Sequence, residues 1–433
     1  MNRLLILLAV SFIAIQAQAQ ELLTVEEAVR IALEKNFEIR IASNDLEIDK
    51  EGVSIGNAGM LPAVGAVFNS NNSIQNSSQT RADGNTNELD DARNNNINYG
   101  VVMDWTIFDG FRMFARYDQL KELEKLGEAQ LQQTVLAKVS EVMITYYDLV
   151  QQQQQLVALD STIAISNQRL TLADNRFTIG KASKLEVLNA QVDMNTDRTM
   201  QLRQEELYNN TKIRLNQILA RDTGINFRVI NEIPVEEDLF LPELEKLALE
   251  QNPLLQAQII ANNIAKLELK QVRAGRYPTL VATTGYQFSE SESSLGFISF
   301  GRSRGWNYGL SARMNIFDGF NQNQNEKIAK IQIENTELGI EQQSLDLKTQ
   351  LGTAYQTYLT NIRLIELESN NEAIARENLD ITLEKFRIGT IPTIEFRTAQ
   401  LNYINAIVRH SNARFQAKLS EISLREYAGN LSF

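Results

Sequence analysis

The chain has no cysteine and only one histidine, His410, among its 433 residues. A protein without thiols cannot be a secreted module held by disulfides, and it has no cysteine that could carry a lipid anchor. A lone histidine without a second ligand at metal-binding spacing supports neither a metal site nor a catalytic pair. The sequence therefore predicts no enzyme activity, no catalytic residues, no metal and no cofactor.

Basic residues are in the minority, and long apolar runs are missing. The 42 Lys and Arg against 54 Asp and Glu leave a net charge of −12, which gives no electrostatic basis for binding nucleic acid. The apolar segment Leu4–Ile15 is shorter than the roughly 20 residues that a membrane-spanning helix needs. Arg3 before it and Ala17-Gln18-Ala19 after it predict a signal peptide over residues 1–19, so we expect the protein to leave the cytoplasm.

Prolines are also few, and none of the six lies within Phe111–Asn175 or Phe320–Lys385. Because proline breaks helices, its absence predicts two helices of about 65 residues, each roughly 100 Å long. Apolar residues recur in them at seven-residue spacing, which indicates left-handed supercoiling. The positions are Val142, Leu149, Leu156, Ile163, Leu170 and Phe177, then Leu351, Tyr358, Ile365, Leu379 and Phe386, with Glu372 as one polar break. Such thin stripes suit the wall of a hollow tube or an ordinary antiparallel coiled coil.

The sequence contains an internal duplication. The pentapeptide Ile-Phe-Asp-Gly-Phe occurs at 107–111 and again at 316–320, an offset of 209 residues, and the same offset places Arg176–Gly180 on Lys385–Gly389. Self-similarity at a fixed distance indicates a repeated structural unit. We predict a first repeat over 20–222, a linker over 223–240 and a second repeat over 241–433. Each repeat reads as a helix, a β-hairpin and a long helical hairpin, with the tips near 176–181 and 385–392.

The β-hairpins are predicted at 62–108 and 278–317. The last strand of each alternates apolar with polar residues over more than ten positions, about the length that a tilted membrane strand needs. The apolar positions are Ile97, Tyr99, Val101, Met103, Trp105 and Ile107, then Trp306, Tyr308, Leu310, Ala312, Met314 and Ile316. The Asn- and Ser-rich segments 69–96 and 289–305 predict mobile loops outside a membrane.

Aromatic residues on these strands predict the membrane boundaries. By repeat-equivalent position, Trp105 and Trp306 are eight residues apart, which is roughly 20 Å along the membrane normal and close to the ~25 Å apolar band of outer-membrane barrels. The candidate interface residues are Trp105, Trp306, Tyr99 and Tyr308. After the hairpins, Asp109-Gly110 and Asp318-Gly319 are predicted strand-to-helix turns, in which the aspartates are turn or N-cap residues.

Four membrane strands in one chain cannot close a barrel by themselves. Known barrels begin at eight strands, and unpaired backbone groups are costly in hydrocarbon. Several copies must therefore pool their strands. Two copies would give eight strands with a filled interior, and three would give twelve with room for a lumen.

The duplicated unit, the Phe-Asp-Gly turn and the tip pattern together resemble the TolC-type outer-membrane efflux protein family. The tip pattern is an aromatic-x-Ile-Gly followed by acid-x-x-x-Ala-Gln, at Glu186–Gln191 and Glu395–Gln400. The resemblance implies a mostly α-helical protein with membrane β-structure. It implies a homotrimer whose twelve-stranded β-barrel, surrounded by outer-membrane lipid of a Gram-negative-type bacterium, continues as a twelve-helix periplasmic α-barrel. It also implies two partners, a periplasmic adaptor (membrane fusion protein) and an inner-membrane transporter of RND or ABC type.

The resemblance assigns roles to single residues as well. The residues that match the hairpin tips where adaptors dock are Arg176, Gly180, Lys385 and Gly389. Glu395 matches the first of two acidic positions around the closed periplasmic entrance, whereas Thr398 stands at the second. That departure weakens the expectation of a double acidic ring and of a strong cation block. Glu186, the counterpart of Glu395 in the first repeat, is expected to be a wall residue.

The implied function is a passive exit duct of a tripartite efflux system, with small molecules as cargo. A type I protein secretion duct shares the same fold and is the alternative within this class. A periplasmic coiled-coil scaffold without a pore is the alternative from another class; it would dissolve without detergent and conduct no ions.

Overall fold

The computed structural model describes residues 21–294 and 298–431, so the predicted signal peptide at 1–19 lies outside the described residues. The chain is mostly helical, as predicted. Its first half contains β1 (Glu21–Leu23), α1 (Val25–Lys35), α2 (Phe37–Gly52), β2 (Ala63–Thr80), β3 (Thr86–Phe108), α3 (Arg112–Thr178) and α4 (Lys184–Ile218). Its second half contains β4 (Phe227–Val229), α5 (Leu241–Gln251), α6 (Pro253–Ala274), β5 (Thr279–Ser293), β6 (Phe300–Arg313), α7 (Asn321–Ile388) and α8 (Thr393–Tyr427). Both halves therefore have the same order of strands and helices.

The helices and strands form two compact units. The helical unit takes in the segment that ends at Asn44, then Ala129–Gln256, and the segment that begins at Glu341. The sheet unit takes in Asp45–Glu128 and Ala257–Ile340. Each unit combines segments from both predicted repeats, because α3 and α7 contribute residues to both units.

The long helices α3 and α7 run without interruption over 67 and 68 residues, as the absence of proline predicts. The seven-residue stripe is fully buried at Val142 and Leu149 in α3 and at Leu351 and Tyr358 in α7. At Phe177, the last stripe position of α3, the side chain is exposed. Among the described residues, no helix has an apolar stretch long enough to cross a membrane.

The largest core of the helical unit lies around the short parallel strands β1 and β4. Leu23 and Phe227 are fully buried there. The Tyr146 hydroxyl donates to the Leu23 carbonyl oxygen at 2.9 Å and accepts from the Ile230 N–H at 3.2 Å. One side chain of α3 therefore ties β1 to the residue that follows β4, which satisfies backbone groups inside the core.

Strands β2, β3, β5 and β6 form one antiparallel sheet in that order. Its register places apolar side chains in rows on one face. One row is Val101, Tyr286 and Trp306, and another is Phe68, Tyr99 and Phe288, which ends at Arg304 of β6. Polar side chains form rows on the other face, such as Asn69, Asn98, Ser289 and Ser303. Within the described residues, the outer strands β2 and β6 are each paired along one edge only. The sheet is therefore amphipathic and open at both edges.

Strands occupy most of the two segments predicted as loops, so those predictions were wrong. β2 and β3 take up all of 69–96 except residues 81–85, and β5 and β6 take up most of 289–305. The Asn and Ser residues pair through backbone N–H and C=O groups, which requires no apolar side chain and so leaves no alternation in the sequence. Conversely, β6 ends at Arg313, so Met314 and Ile316, predicted as strand residues, lie in the connection to α7.

Two glycines lie where β3 and β5 approach each other closely. A Cβ on Gly100 would lie 2.4 Å from the Tyr286 carbonyl oxygen, and a Cβ on Gly285 would lie 2.6 Å from that of Val101. Both glycines belong to the polar face, where Gly100 is opposite Gln287. Only glycine fits this geometry, which is typical of points where a sheet curves strongly.

Candidate functional site

The two long helices end in the same way, at glycines in the left-handed conformation. Gly180 after α3 and Gly389 after α7 have φ of +74° and +82°, which glycine adopts without steric cost. The residue after each glycine donates its N–H to the carbonyl oxygen of Arg176 at 2.8 Å or of Lys385 at 3.0 Å. These bonds form a Schellman cap at each helix end. Both helical hairpins therefore turn at the glycines singled out in the sequence.

Arg176, near the end of α3, caps the end of α7. Its Nη2 donates to the Phe386 carbonyl oxygen at 2.7 Å, and its guanidinium lies 5.0 Å from the centre of the Phe386 ring. A cation at the last carbonyl groups of a helix is favoured by the helix dipole. A Cβ on Gly389 would lie 3.3 Å from the same Nη2, whereas one on Gly180 would meet open space. The structure thus brings Arg176 and Gly389 together, and it leaves Lys385 exposed.

Glu395 and Thr398 lie on one exposed face at the start of α8. They are three residues apart, so they are neighbours on the helix surface, and both side chains are exposed. The neighbouring residues Phe396 and Ala399 are buried, so the exposed face is narrow. The Thr398 hydroxyl donates to the Ile394 carbonyl oxygen at 3.0 Å, which leaves Glu395 as the charged group of this face.

Glu186, the counterpart of Glu395 at the start of α4, makes a different contact. Its Oε1 accepts a hydrogen bond from the Thr393 hydroxyl at 2.9 Å and lies 4.0 Å from Arg176 Nη1. Its side chain is mostly covered. The carboxylate therefore links the beginnings of α4 and α8, beside the arginine that caps α7.

A buried polar network connects α3, α4 and α8 close to the tips. Arg397 of α8 donates to Asp197 of α4 through Nη1 at 2.9 Å and Nη2 at 2.7 Å, and both side chains are buried. Arg169 of α3 pairs with Asp193 of α4. Further bonds run from Ser166 Oγ to Asp197 at 2.6 Å, from Gln400 Nε2 to Ser166 Oγ at 2.9 Å, from Gln400 Nε2 to the Thr162 carbonyl oxygen at 3.2 Å, and from Arg397 Nη1 to Gln400 Oε1 at 3.0 Å. Two arginines and two aspartates compensate each other, as buried charges require.

Sequence reasoning assigned no role to this network. Ala399-Gln400 was part of the repeat match, but the α3 partners of Gln400, Thr162 and Ser166, lie more than 200 residues away. One signal was available, because Asp193 and Asp197 are four residues apart and therefore share a helix face. Nothing in a single sequence indicates that arginines of two other helices meet that face.

His410 pairs with the residue that breaks the seven-residue stripe of α7. Its Nδ1 lies 2.6 Å from Glu372 Oε2, and the next pair along the same helices is Arg409 with Glu368 at 3.0 Å. The break and the lone histidine were both visible in the sequence as separate features. Their pairing explains why a carboxylate occupies an otherwise apolar position.

The two strand-to-helix turns have the same conformation. Gly110 and Gly319 have φ of +72° and +71°, and the phenylalanine after each glycine has φ of +67°. Asp109 accepts from the Met113 N–H at 3.2 Å, and Asp318 accepts from the Gln322 N–H at 2.8 Å. Each aspartate thus satisfies a free N–H of the first helical turn, as an N-capping side chain does.

The aromatic residues predicted at a membrane interface all lie on the apolar face of the sheet. Tyr99 stacks on Phe288 with ring centres 5.0 Å apart. Trp105 donates from Nε1 to the Met60 carbonyl oxygen at 2.9 Å. Trp306 and Tyr308 are 70% and 87% exposed. Exposed aromatic rings with a polar atom suit the boundary between hydrocarbon and water.

Within residues 21–294 and 298–431, no three acidic or histidine side chains are grouped so that they could hold a metal ion. The buried charged residues Arg397 and Asp197 are instead hydrogen-bonded to each other inside the helical unit. The arrangement at the tips therefore offers charge and shape, and we identify no group there that is placed to react.

Comparison with known proteins gives consistent matches along most of the chain. The family model described as outer membrane efflux protein matches residues 28–221 and 244–430. The proteases secretion protein PrtF of Dickeya chrysanthemi is 20% identical over 423 residues, which cover 96% of this chain and 89% of PrtF. The outer membrane protein TolC of Escherichia coli (strain K12) is 20% identical over 448 residues, which cover 99% of this chain and 86% of TolC.

The solved structures extend the comparison to the fold. The crystal structure of the CmeC outer membrane channel of Campylobacter jejuni matches with a TM-score of 0.78 at 17% identity, and the match covers 94% of this chain and 85% of that chain. At this identity the likeness shows a shared fold. The fold is therefore that of outer membrane channels with a large helical part.

Proposed function

The chain belongs to the outer membrane efflux protein family, and on that basis we propose that it is the exit duct of a tripartite efflux system. It lies in the outer membrane of a Gram-negative-type bacterium, with its helical hairpins in the periplasm. It conducts small-molecule cargo passively from an inner-membrane pump of RND or ABC type, through a periplasmic adaptor, to the exterior. Such a duct has no reaction to catalyse, and its selectivity comes from bore, charge and gating.

The observation that carries this proposal is the amphipathic sheet of β2, β3, β5 and β6. Across the part of the chain that the structure describes, its two outer edges have no strand partner. Backbone groups on such edges cannot stay unpaired in hydrocarbon. Three copies would close the edges into a twelve-stranded barrel with the apolar face toward lipid and the polar face toward a lumen. We therefore propose a homotrimer, whose helical hairpins form a twelve-helix α-barrel.

The candidate residues have matching roles in this assembly. Glu395 and Thr398 face the periplasmic entrance, with a single acidic ring from Glu395. The tips, marked by Arg176, Gly180, Lys385 and Gly389, meet the adaptor. The rings of Trp105, Trp306, Tyr99 and Tyr308 lie at the membrane interfaces. The exposure of Glu395, Lys385 and Trp306 supports these roles.

Ion conductance in planar bilayers tests the duct and its gate. The full-length protein is expected to form conducting channels. Glu395→Ala removes the proposed acidic ring, so it should alter conductance or reduce cation preference. Glu377→Ala, at an exposed acid of α7, is the matched control and should leave both unchanged. A protein that dissolves without detergent and conducts no ions would favour the scaffold instead, and an unaltered Glu395→Ala channel would remove Glu395 from the gate.

Adaptor docking is tested by a charge change that avoids strain. Substitutions at Gly180 or Gly389 strain the backbone because both have positive φ, so Lys385→Glu is the sharper variant. It should weaken cross-linking to the adaptor in cells while the oligomer persists. Lys348→Glu, at an exposed lysine of the same helix, is the control. Unchanged cross-linking of Lys385→Glu would contradict the docking role.

Protein secretion is the second candidate, because PrtF is described as a proteases secretion protein and 96% of this chain aligns with it. Deletion of the gene distinguishes the two. Sensitivity to small toxic compounds is expected for the efflux duct. Loss of a specific protein from the medium, without such sensitivity, would identify the secretion duct.

A further inference from the structure

The phenylalanines that follow the two strand-to-helix turns have a strained backbone. Phe111 and Phe320 both have φ of +67°, a conformation in which the Cβ atom lies too close to the following carbonyl oxygen. Glycine, asparagine or aspartate would adopt it at lower cost. Strain of this kind persists mainly where a function requires it. The same choice at equivalent positions of both repeats therefore points to a role for the phenylalanine ring itself.

Packing inside the protein accounts for little of either ring. Phe111 is 61% exposed and Phe320 is 63% exposed. Each ring packs edge-on against the phenylalanine three residues earlier, with ring centres 5.2 Å apart for Phe108 and Phe111 and 5.4 Å apart for Phe317 and Phe320. Phe317 is itself exposed. Burial in a core therefore does not offset the strain.

The two rings lie where the apolar face of the sheet meets the helices. Phe108, which contacts the Phe111 ring, ends β3 and is paired with Leu280 on the apolar face. Exposed apolar side chains lie beside the other three strands at this same end of the sheet. They are Leu61 before β2, Tyr277 before β5, and Ile316 and Phe317 after β6. Together with Phe111 and Phe320 they form an apolar belt across all four strands, and an exposed patch of this kind marks a surface that contacts a membrane or a protein.

Membrane lipid suits this belt better than a second copy of the chain. Phe111 follows β3, an inner strand that is paired on both sides. Pairing of β2 with β6 between copies would therefore leave Phe111 uncovered. Lipid surrounds the whole circumference of a barrel, and aromatic rings concentrate at the boundary between hydrocarbon and water.

We propose that Phe111 and Phe320 insert into the periplasmic leaflet of the outer membrane, at the boundary between phospholipid head groups and acyl chains, and that this contact offsets the strain of their backbone. The inference rests on the proposed function, because only a membrane-spanning sheet has lipid at this level. Neither phenylalanine is among the interface residues predicted from the sequence. Backbone strain, which a sequence does not show, is what distinguishes them.

Quenching of tryptophan fluorescence by brominated phosphatidylcholine tests the proposal. Phe111→Trp and Phe320→Trp are made separately in the full-length protein after Trp105→Phe and Trp306→Phe, which remove both native tryptophans. Each protein is reconstituted in vesicles whose lipid is brominated either near the head group or near the end of the acyl chain. At least twofold quenching by the bromines near the head group, and weaker quenching by the deep bromines, is expected. Phe240→Trp in the same background is the matched control, because Phe240 is 62% exposed but belongs to the helical unit. Quenching at 111 and 320 no stronger than at 240 overturns the proposal.

A protein that keeps only Trp306 separates this inference from the proposed function. If the lipid quenches Trp306 but not the tryptophans at 111 and 320, the sheet is in the membrane and the inference alone is wrong. If it quenches none of them, the proposed function is wrong as well. Should Phe111→Trp and Phe320→Trp not fold, Phe317→Trp decides, because Phe317 is an exposed residue of the same belt without a positive φ. A tryptophan at 317 that the lipid does not quench overturns the proposal.

Discussion

Gly100 shows what a single side chain would cost in this sheet. A Cβ there would lie 2.4 Å from a backbone oxygen of β5, and backbone cannot move aside without breaking the ladder. We expect Gly100→Val to destabilise the sheet by at least the ~1–3 kcal/mol of overpacking. Heat-modifiable migration on gels measures folding of the proposed barrel, and this variant should lose the folded band.

Gly305→Val is the matched control for Gly100→Val. Gly305 belongs to β6 in the same row of the polar face, and a Cβ there meets no atom within 4 Å. It should keep the folded band. Equal behaviour of both variants would show that close approach of β3 and β5 is not the reason for glycine at 100.

The buried carboxyl group of Glu426 should make the stability of the protein depend on pH. Burial raises the pKa of its carboxyl group above the ordinary value, although the Ser140 hydroxyl, donating at 2.6 Å, opposes that shift. A raised folded-state pKa means that the favourable contribution is present below the unfolded pKa and is lost as pH rises through the folded pKa. At neutral pH the ionised carboxylate of Glu426 therefore lowers the free energy of unfolding.

Glu426→Gln should consequently raise the thermal unfolding temperature by a few degrees at pH 7.5 (about 2–4 °C for each 1 kcal/mol in a large domain). At pH 4 the two proteins should unfold at about the same temperature, because wild-type Glu426 is then protonated as well. Glu377→Gln, at an exposed acid, serves as the control at both pH values. A variant less stable than wild type at pH 7.5 would contradict the prediction.

Residue conformation was largely readable from the sequence, because local chemistry decides it. Gly180 and Gly389 have the positive φ expected of helix-capping glycines, and Asp109 and Asp318 bond to the first helical turn as predicted. The role of Arg176 was not readable. Its contact with the end of α7 spans 210 residues, and such a contact depends on the fold.

At the scale of helices and strands, the buried network of α3, α4 and α8 carries the clearest energetic prediction. Asp197→Ala leaves Arg397 buried without its bidentate partner, so it should cost about 3–5 kcal/mol. The double variant Asp197→Leu with Arg397→Leu removes both charges and should cost much less. Denaturant unfolding of the detergent-solubilised protein measures both. A double variant no more stable than Asp197→Ala would show that the unpaired buried charge is not the main cause of the destabilisation.

The sequence predicted helices better than strands, and the reason is physical. A 67-residue segment without proline can form one uninterrupted helix, so α3 and α7 were correctly predicted. The polar parts of β2 and β3 pair through backbone alone, so 69–96 resembled a loop. The pairing of Glu372 with His410 likewise needed the register of α7 against α8, although each residue stood out singly.

For the whole molecule, the resemblance to the TolC-type family, stated from the repeat and tip motifs, is confirmed by the family match. The proposed closure between copies can be tested directly, because the chain has no native cysteine. Val67→Cys in β2 is combined in turn with Ser303→Cys, Gly305→Cys, Asn307→Cys or Gly309→Cys in β6, all of which lie on the polar face.

Oxidation of at least one such pair should give covalent dimers and trimers, because β2 of one copy would lie beside β6 of the next. Phe68→Cys, on the opposite face, combined with Asn307→Cys is the negative control and should remain monomeric. Monomers from every polar-face pair would contradict closure by neighbouring copies.

The open edges of the sheet also have a genetic consequence. If three copies share one barrel, a subunit that folds but cannot pair its sheet edges with its neighbours prevents closure of every trimer that contains it. With equal amounts of normal and defective chains mixing at random, only about one assembly in eight would contain three normal subunits. An edge mutation in β2 or β6 should therefore be dominant over a normal gene copy, whereas a null allele should be recessive.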